Sequence, residues 1–253
     1  MSADKKTIDV AKAIKSYPKE EVQSPYMPIH VAVQETEDLY KQASIDKKPL
    51  LNAGMDESVI EALLPAAREL RNTESTRVAL KNNLADAQKT WKEESEKAYT
   101  LRDELLAGFR YAYRNTPEVL NTVREIADGS SDSDMIQDLD NLKALGLQYK
   151  KELEAVKFDL SLLDTAGKTA ERLGTLYASA KVESGQEEMA TEMRDRAWTY
   201  LKTLVQDVRE CGKYVFHNDS KKRRNYTSAY QRRMRHRYER KAAEKKTGEA
   251  VTV

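Results

Sequence analysis

The sequence predicts an all-α fold: an antiparallel helical bundle of about four long helices, with short connecting helices, a basic C-terminal helix and no β-sheet. Three observations carry this. Apolar residues recur at steps of three and four along most of the 253 residues, the period of a helix face turned to a core. Glycine (9) and proline (6) are scarce, so breaks are few and elements long. The strict alternation of a half-buried strand is absent. Hydrophobic residues make up 40% and charged residues 34%, enough for a core but with thin apolar stripes and broad wet faces. Thirteen tyrosines dominate the aromatic residues and suit half-buried positions, where the hydroxyl stays wet.

Residues 1–27 read as a polar N-terminal arm, loose apart from a short helical turn around residues 10–14. The bundle domain then spans 28–217. Pro28 starts a helix that runs through Ala43, since proline fits the first turn. Residues 47–54 form a linker. Asp56 caps the next helix, which carries Val59, Ile60, Leu63, Leu64, Ala67 and Leu70 on one face. Pro65 marks a kink or an early turn there, and the all-polar run Asn72-Thr73-Glu74-Ser75 is a point of breakage or exposure. The stripe resumes through Leu80, Leu84, Ala87, Trp91, Ala98, Leu101, Leu105, Phe109 and Tyr113, so 56–115 is one helix or two.

Thr116-Pro117-Glu118 is a start signal for a short helix that stops at Gly129. Ser131 caps another, ending at Gly146. A helix from Phe158 carries Leu160, Leu163, Ala166, Ala170, Leu173, Tyr177 and Ala180, with Gly167 and Gly174 seven apart for close helix approach. Residues 182–186 are read as a turn. The last bundle helix has the clearest seam: Met189, Met193, Ala197, Tyr200, Leu204, Val208, Cys211 and Val215.

Several chemistries are disfavoured, and the chain is expected not to be an enzyme. A di-iron bundle needs two Glu-x-x-His pairs, but Met27, Tyr214 and Arg233 stand three residues before His30, His217 and His236. Cys211 and His217, six apart, lie roughly 120° from each other on a helix and do not converge on zinc or as a nucleophile pair. A calcium loop from Asp128 would need glycine where Ser133 stands and glutamate where Leu139 stands. No Gly-rich phosphate loop or Gly-x-Ser-x-Gly elbow exists. No catalytic residue, metal, cofactor or small-molecule substrate is therefore expected. One cysteine, no apolar run after the first residues, and no stretch of about 18 apolar residues point to a cytoplasmic protein without a membrane span.

Charge distribution is the main functional hint. From Asp219 to Lys246 twelve Lys/Arg face three Asp/Glu, whereas residues 1–218 carry 31 basic and 38 acidic residues. Residues 218–253 form a basic tail: Asn218-Asp219-Ser220 breaks the pattern, a basic helix is expected to follow to about Ala243, and 244–253 are expected to fray. Tyr226, Tyr230, Met234 and Tyr238 recur every four residues among Lys221, Lys222, Arg223, Arg224, Arg232, Arg233, Arg235 and Arg237. Such a helix fits self-assembly or docking on another protein, with the stripe on an acidic body. The alternative is nucleic acid, bound through residues 221–241 by charge neutralisation and stacking. Docking on its own bundle without further function is a third reading. A membrane surface fits poorly, because the apolar face lacks Leu, Phe and Trp.

Overall fold

The computed structural model describes residues 9–249, with side chains for 9–242. Among the described residues there are ten α-helices, one 3-10 turn and no strand. The helices are α1 (Val10–Lys15), α2 (Ile29–Ile45), α3 (Lys47–Asn52), α4 (Glu57–Ala112), α5 (Pro117–Ile126), α6 (Asp132–Gln148), α7 (Lys150–Ala155), α8 (Ser161–Val215), α9 (Ser220–Asn225) and α10 (Ala229–Glu249). The all-α class is as the sequence predicts. The number of long helices differs: two helices of 56 and 55 residues, α4 and α8, supply what the periodicity divides into four.

The expected turn at residues 182–186 is helical. Only Gly185 opposes helix there, at about 1 kcal/mol relative to alanine, and no proline follows. The polar run in α4 does not break either. Thr73, Ser75 and Thr76 hydroxyls donate to the carbonyls of Glu69, Arg71 and Asn72, four residues back. Pro65 is exposed inside the same helix, where water can serve the carbonyl that loses its N–H partner. Between residues 74 and 94 of α4, and between 174 and 189 of α8, no side chain is buried; Met189, expected in the seam, is 73% exposed.

The chain divides into two compact units, residues 1–79 with 188–253, and residues 80–187, each with its own core. In the first unit, Ile14 of α1, Leu39 of α2, Leu50 of α3, Leu63 and Leu70 of α4, and Trp198 and Val208 of α8 are buried together. The N-terminal arm is docked from Asp9 onward rather than loose. Asp9 caps α1, and burying a side chain such as Ile14 is worth about 2 kcal/mol toward holding it. Arg196 Nη1 of α8 donates to the carbonyls of Lys15 and Tyr17, and Gln23 N–H donates to Thr199 Oγ1. The expected linker is largely α3, closed by Gly54 at φ +92°, a left-handed value that glycine adopts without strain. Asp56 caps α4 as expected, accepting from Ser58 N–H.

In the second unit, Leu105, Phe109 and Tyr113 of α4 pack with Val123, Leu139, Leu142, Leu153 and Leu163 of α5 to α8. Trp91 meets Tyr177, and Glu94 pairs with Arg172, so α4 and α8 run antiparallel here. The Ser131 cap forms a full capping box with Asp134, whereas Thr116 makes no side-chain cap. Gly146 does not end α6, which continues to Gln148. A Cβ there would lie 2.6 Å from Leu163 and 2.8 Å from Phe109, so glycine serves close packing. The same role expected of Gly167 and Gly174 divides: Gly167 lies against Lys143, while nothing approaches Gly174. Arg102 of α4 ties the unit together, bonding Asp138 of α6 at 2.6 Å and the carbonyls of Ala127 and Gly129.

Candidate interaction surface

The basic segment is not one continuous helix. After α8 ends, Asp219 caps α9 by accepting from the N–H groups of Lys221 and Lys222, both at 3.0 Å. Lys222, Arg223 and Arg224 fall in the last turn of α9, where cations suit the helix dipole. The chain then breaks at residues 226–228 and resumes as α10. The backbone of α10 is helical through Glu249, so the fraying expected from 244 does not apply to 244–249; residues 250–253 lie outside the described residues.

Tyr226 belongs to the core, not to the interaction stripe. It is 0% exposed, stacks on Phe216 at 5.6 Å, and donates its hydroxyl to Asp46 Oδ2 at 2.9 Å. Its ring lies against Gly212 of α8, where any Cβ would enter the ring. Burial, and then the Asp46 carboxylate, push the phenol well above its ordinary pKa, so the hydroxyl stays a donor. Lys222 Nζ sits 5.0 Å over the Phe216 ring and 3.9 Å from Asp46 Oδ1.

Glu35 of α2 holds the start of α10. Its carboxylate accepts from Tyr230 N–H at 2.7 Å and from Arg209 Nη2 of α8 at 2.8 Å. Burial alone would raise its pKa; hydrogen bonds from Tyr230, Ser228 and Arg209 outweigh that and hold it below its usual value. Ser228, 4% exposed, caps α10 through Gln231 N–H. Arg232 folds back onto the carbonyls of Arg224 and Thr227. Gln231 reaches Tyr26 of the N-terminal arm at 3.1 Å.

Farther along, contact with the body is lost. Tyr230 and Met234 are half-buried, but residues 235–242 are all exposed and Tyr238 is 66% exposed. Of the residues singled out from the sequence, Tyr226, Tyr230, Arg232 and Lys222 are thus drawn into the first unit. Lys221, Arg223, Arg224, Arg233, Arg235, Arg237 and Tyr238 remain on the surface. The residues that hold the segment, Glu35, Asp46, Gly212 and Phe216, escaped sequence reading. Only Gly212, a glycine beside the α8 seam, left a signal there.

Beside this root a cavity of about 400 Å³ lies among Tyr26, Met27, Trp198, Leu201 and Arg209. Arg209 pairs there with Glu35, Gln206 with Glu210 and Lys202 with Gln23, while the buried Trp198 Nε1 and Arg209 Nε have no hydrogen-bond partner among the described residues. Cys211 is half-buried with its thiol raised by burial, which keeps it protonated, as expected of a packing residue. Among the described residues no helix is long and apolar enough to cross a membrane. No protein family, curated protein or solved structure matches the chain.

Proposed function

We propose that this chain is a non-enzymatic structural or protein-interaction protein of the cytoplasm that self-associates through its C-terminal helix. The observation that carries the reading is the change of surroundings along α10. Its root is held by Tyr226, Glu35 and Ser228, while every side chain from Arg235 to Ala242 is exposed. The outer half of α10 gains little from packing on its own body, so a surface that covers Tyr238 and pairs the arginines would stabilise it. The Arg209–Glu35 pair, which joins α8 to α2 beside the root, supports a structural role. The single cysteine, which leaves no partner for an intrachain disulfide, is in keeping with a reducing compartment.

Sedimentation velocity tests this on the full chain and on a full-length variant with Arg235→Gln, Arg237→Gln and Tyr238→Ser. The wild type should sediment as an oligomer in dilute salt and the variant as a monomer. Equal oligomers, or a monomeric wild type at tens of micromolar, would remove the reading. The exposed Arg233, Arg235 and Arg237 around Tyr238 also favour nucleic acid as a second reading. That reading requires retardation of single-stranded DNA or RNA that weakens steeply with salt and is lost in the same variant.

A further inference from the structure

We infer that the exposed outer half of α10 docks on the second unit, residues 80–187, of another copy of this chain, along the α5–α6 face. This rests on the self-association proposed above and names its receptor. Between Ala229 and Ala242, α10 carries six Lys/Arg against one Asp/Glu. Two such arms side by side would set like charges together, which disfavours a symmetric arm-to-arm contact. The complementary charge lies in the second unit, where twenty Asp/Glu face fifteen Lys/Arg. From Pro117 to Gln148 there are seven acids against two bases, and with Asp138 buried against Arg102 six acids remain.

Charge is not the only match. The stripe that roots α10 on its own body continues past it: Tyr230 and Met234 are half-buried and Tyr238, four residues on, is 66% exposed. On α6, Asp140 and Leu147 are seven residues apart and so share one outer face; both are exposed, Leu147 at 54%. Glu125 and Asp128, at the end of α5 and in the following loop, are exposed as well. The α5–α6 segment thus carries exposed carboxylates at Glu125, Asp128 and Asp140 that suit Arg235, Arg237 and Lys241, and an exposed apolar side chain at Leu147 that suits Tyr238. Because the two surfaces differ, the contact is heterologous, and each docked copy still presents a free arm or a free receptor. Assembly is then open-ended unless the rotation closes a ring.

The test uses two full-length variants, each checked by circular dichroism for an unchanged fold. The arm variant carries Arg235→Gln, Arg237→Gln and Lys241→Gln. The receptor variant carries Glu125→Gln, Asp128→Asn and Asp140→Asn. Molar mass is read by light scattering for each alone and for an equimolar mixture. Wild type should grow with concentration, and each variant alone should be monomeric, its self-affinity reduced about tenfold or more. The mixture should stop at a one-to-one pair, since only one arm and one receptor remain competent. A receptor variant that assembles like wild type while the arm variant does not would overturn the receptor and leave the proposed function standing. Two monomeric variants that fail to pair when mixed would also overturn the receptor. Both variants assembling like wild type, or a monomeric wild type, would overturn the inference and the proposed function together.

Discussion

Residues 219–232 and residues 235–242 are one basic stretch by composition, yet they meet opposite surroundings. In the first, Tyr226 fills a site made by Gly212, Phe216 and Asp46, and Glu35 receives the start of α10. In the second, Tyr238 stands in the same four-residue rhythm and touches little of its own body. An aromatic side chain becomes an anchor only where a neighbouring element offers both space and a partner for its hydroxyl. Without these, the same residue is surface, open to another molecule. A basic helix is thereby held firmly at one end and left available at the other.

The comparison breaks most visibly at the root. Gly212→Val would drive a side chain into the Tyr226 ring, and Tyr226→Ala would empty the same site. Each should cost about 3–5 kcal/mol, read as a lower midpoint in urea melts. Tyr226→Phe keeps the ring but removes the donor to Asp46 and should cost about 1.5–3 kcal/mol.

Acid should loosen the root in a defined direction. Glu35 is held below its usual pKa in the fold, so its contribution is complete above the ordinary glutamate value of about 4.3 and is lost as pH falls through the folded value. The melting temperature should therefore fall on acidification through that range, and Glu35→Gln should flatten this part of the profile. The smallest effect belongs to the outer half. Tyr238→Ser and Arg237→Gln should change the stability of the single chain by no more than about 0.5 kcal/mol, while weakening self-association.

The helical class, the Asp56 cap and the Ser131 capping box were legible because each depends on near neighbours in sequence. So was the α8 seam, whose Ala197, Leu204 and Val208 are buried as the spacing of three and four implies. The failures lie where tertiary context decides. Residues 182–186 look like a turn, yet nothing there breaks a helix strongly enough to stop one that is packed on both sides. Periodicity reports that Tyr226 faces something, but not that the something is Gly212, fourteen residues earlier, and Asp46, far away in sequence. The basic stretch reads as one helix because composition is blind to the break at 226–228, where the chain turns to place Tyr226 in the core. An obvious truncation after Asn218 would remove that anchor along with the exposed arm and confuse stability with assembly.

Amide hydrogen exchange on the full chain at low and high protein concentration tests the central claim most directly. Residues 219–232 should be protected at both concentrations. Residues 235–242 should exchange freely in the monomer and become protected only as the chain associates. A root that exchanges as fast as the outer half, or an outer half that stays unprotected while the chain is oligomeric, would contradict the account.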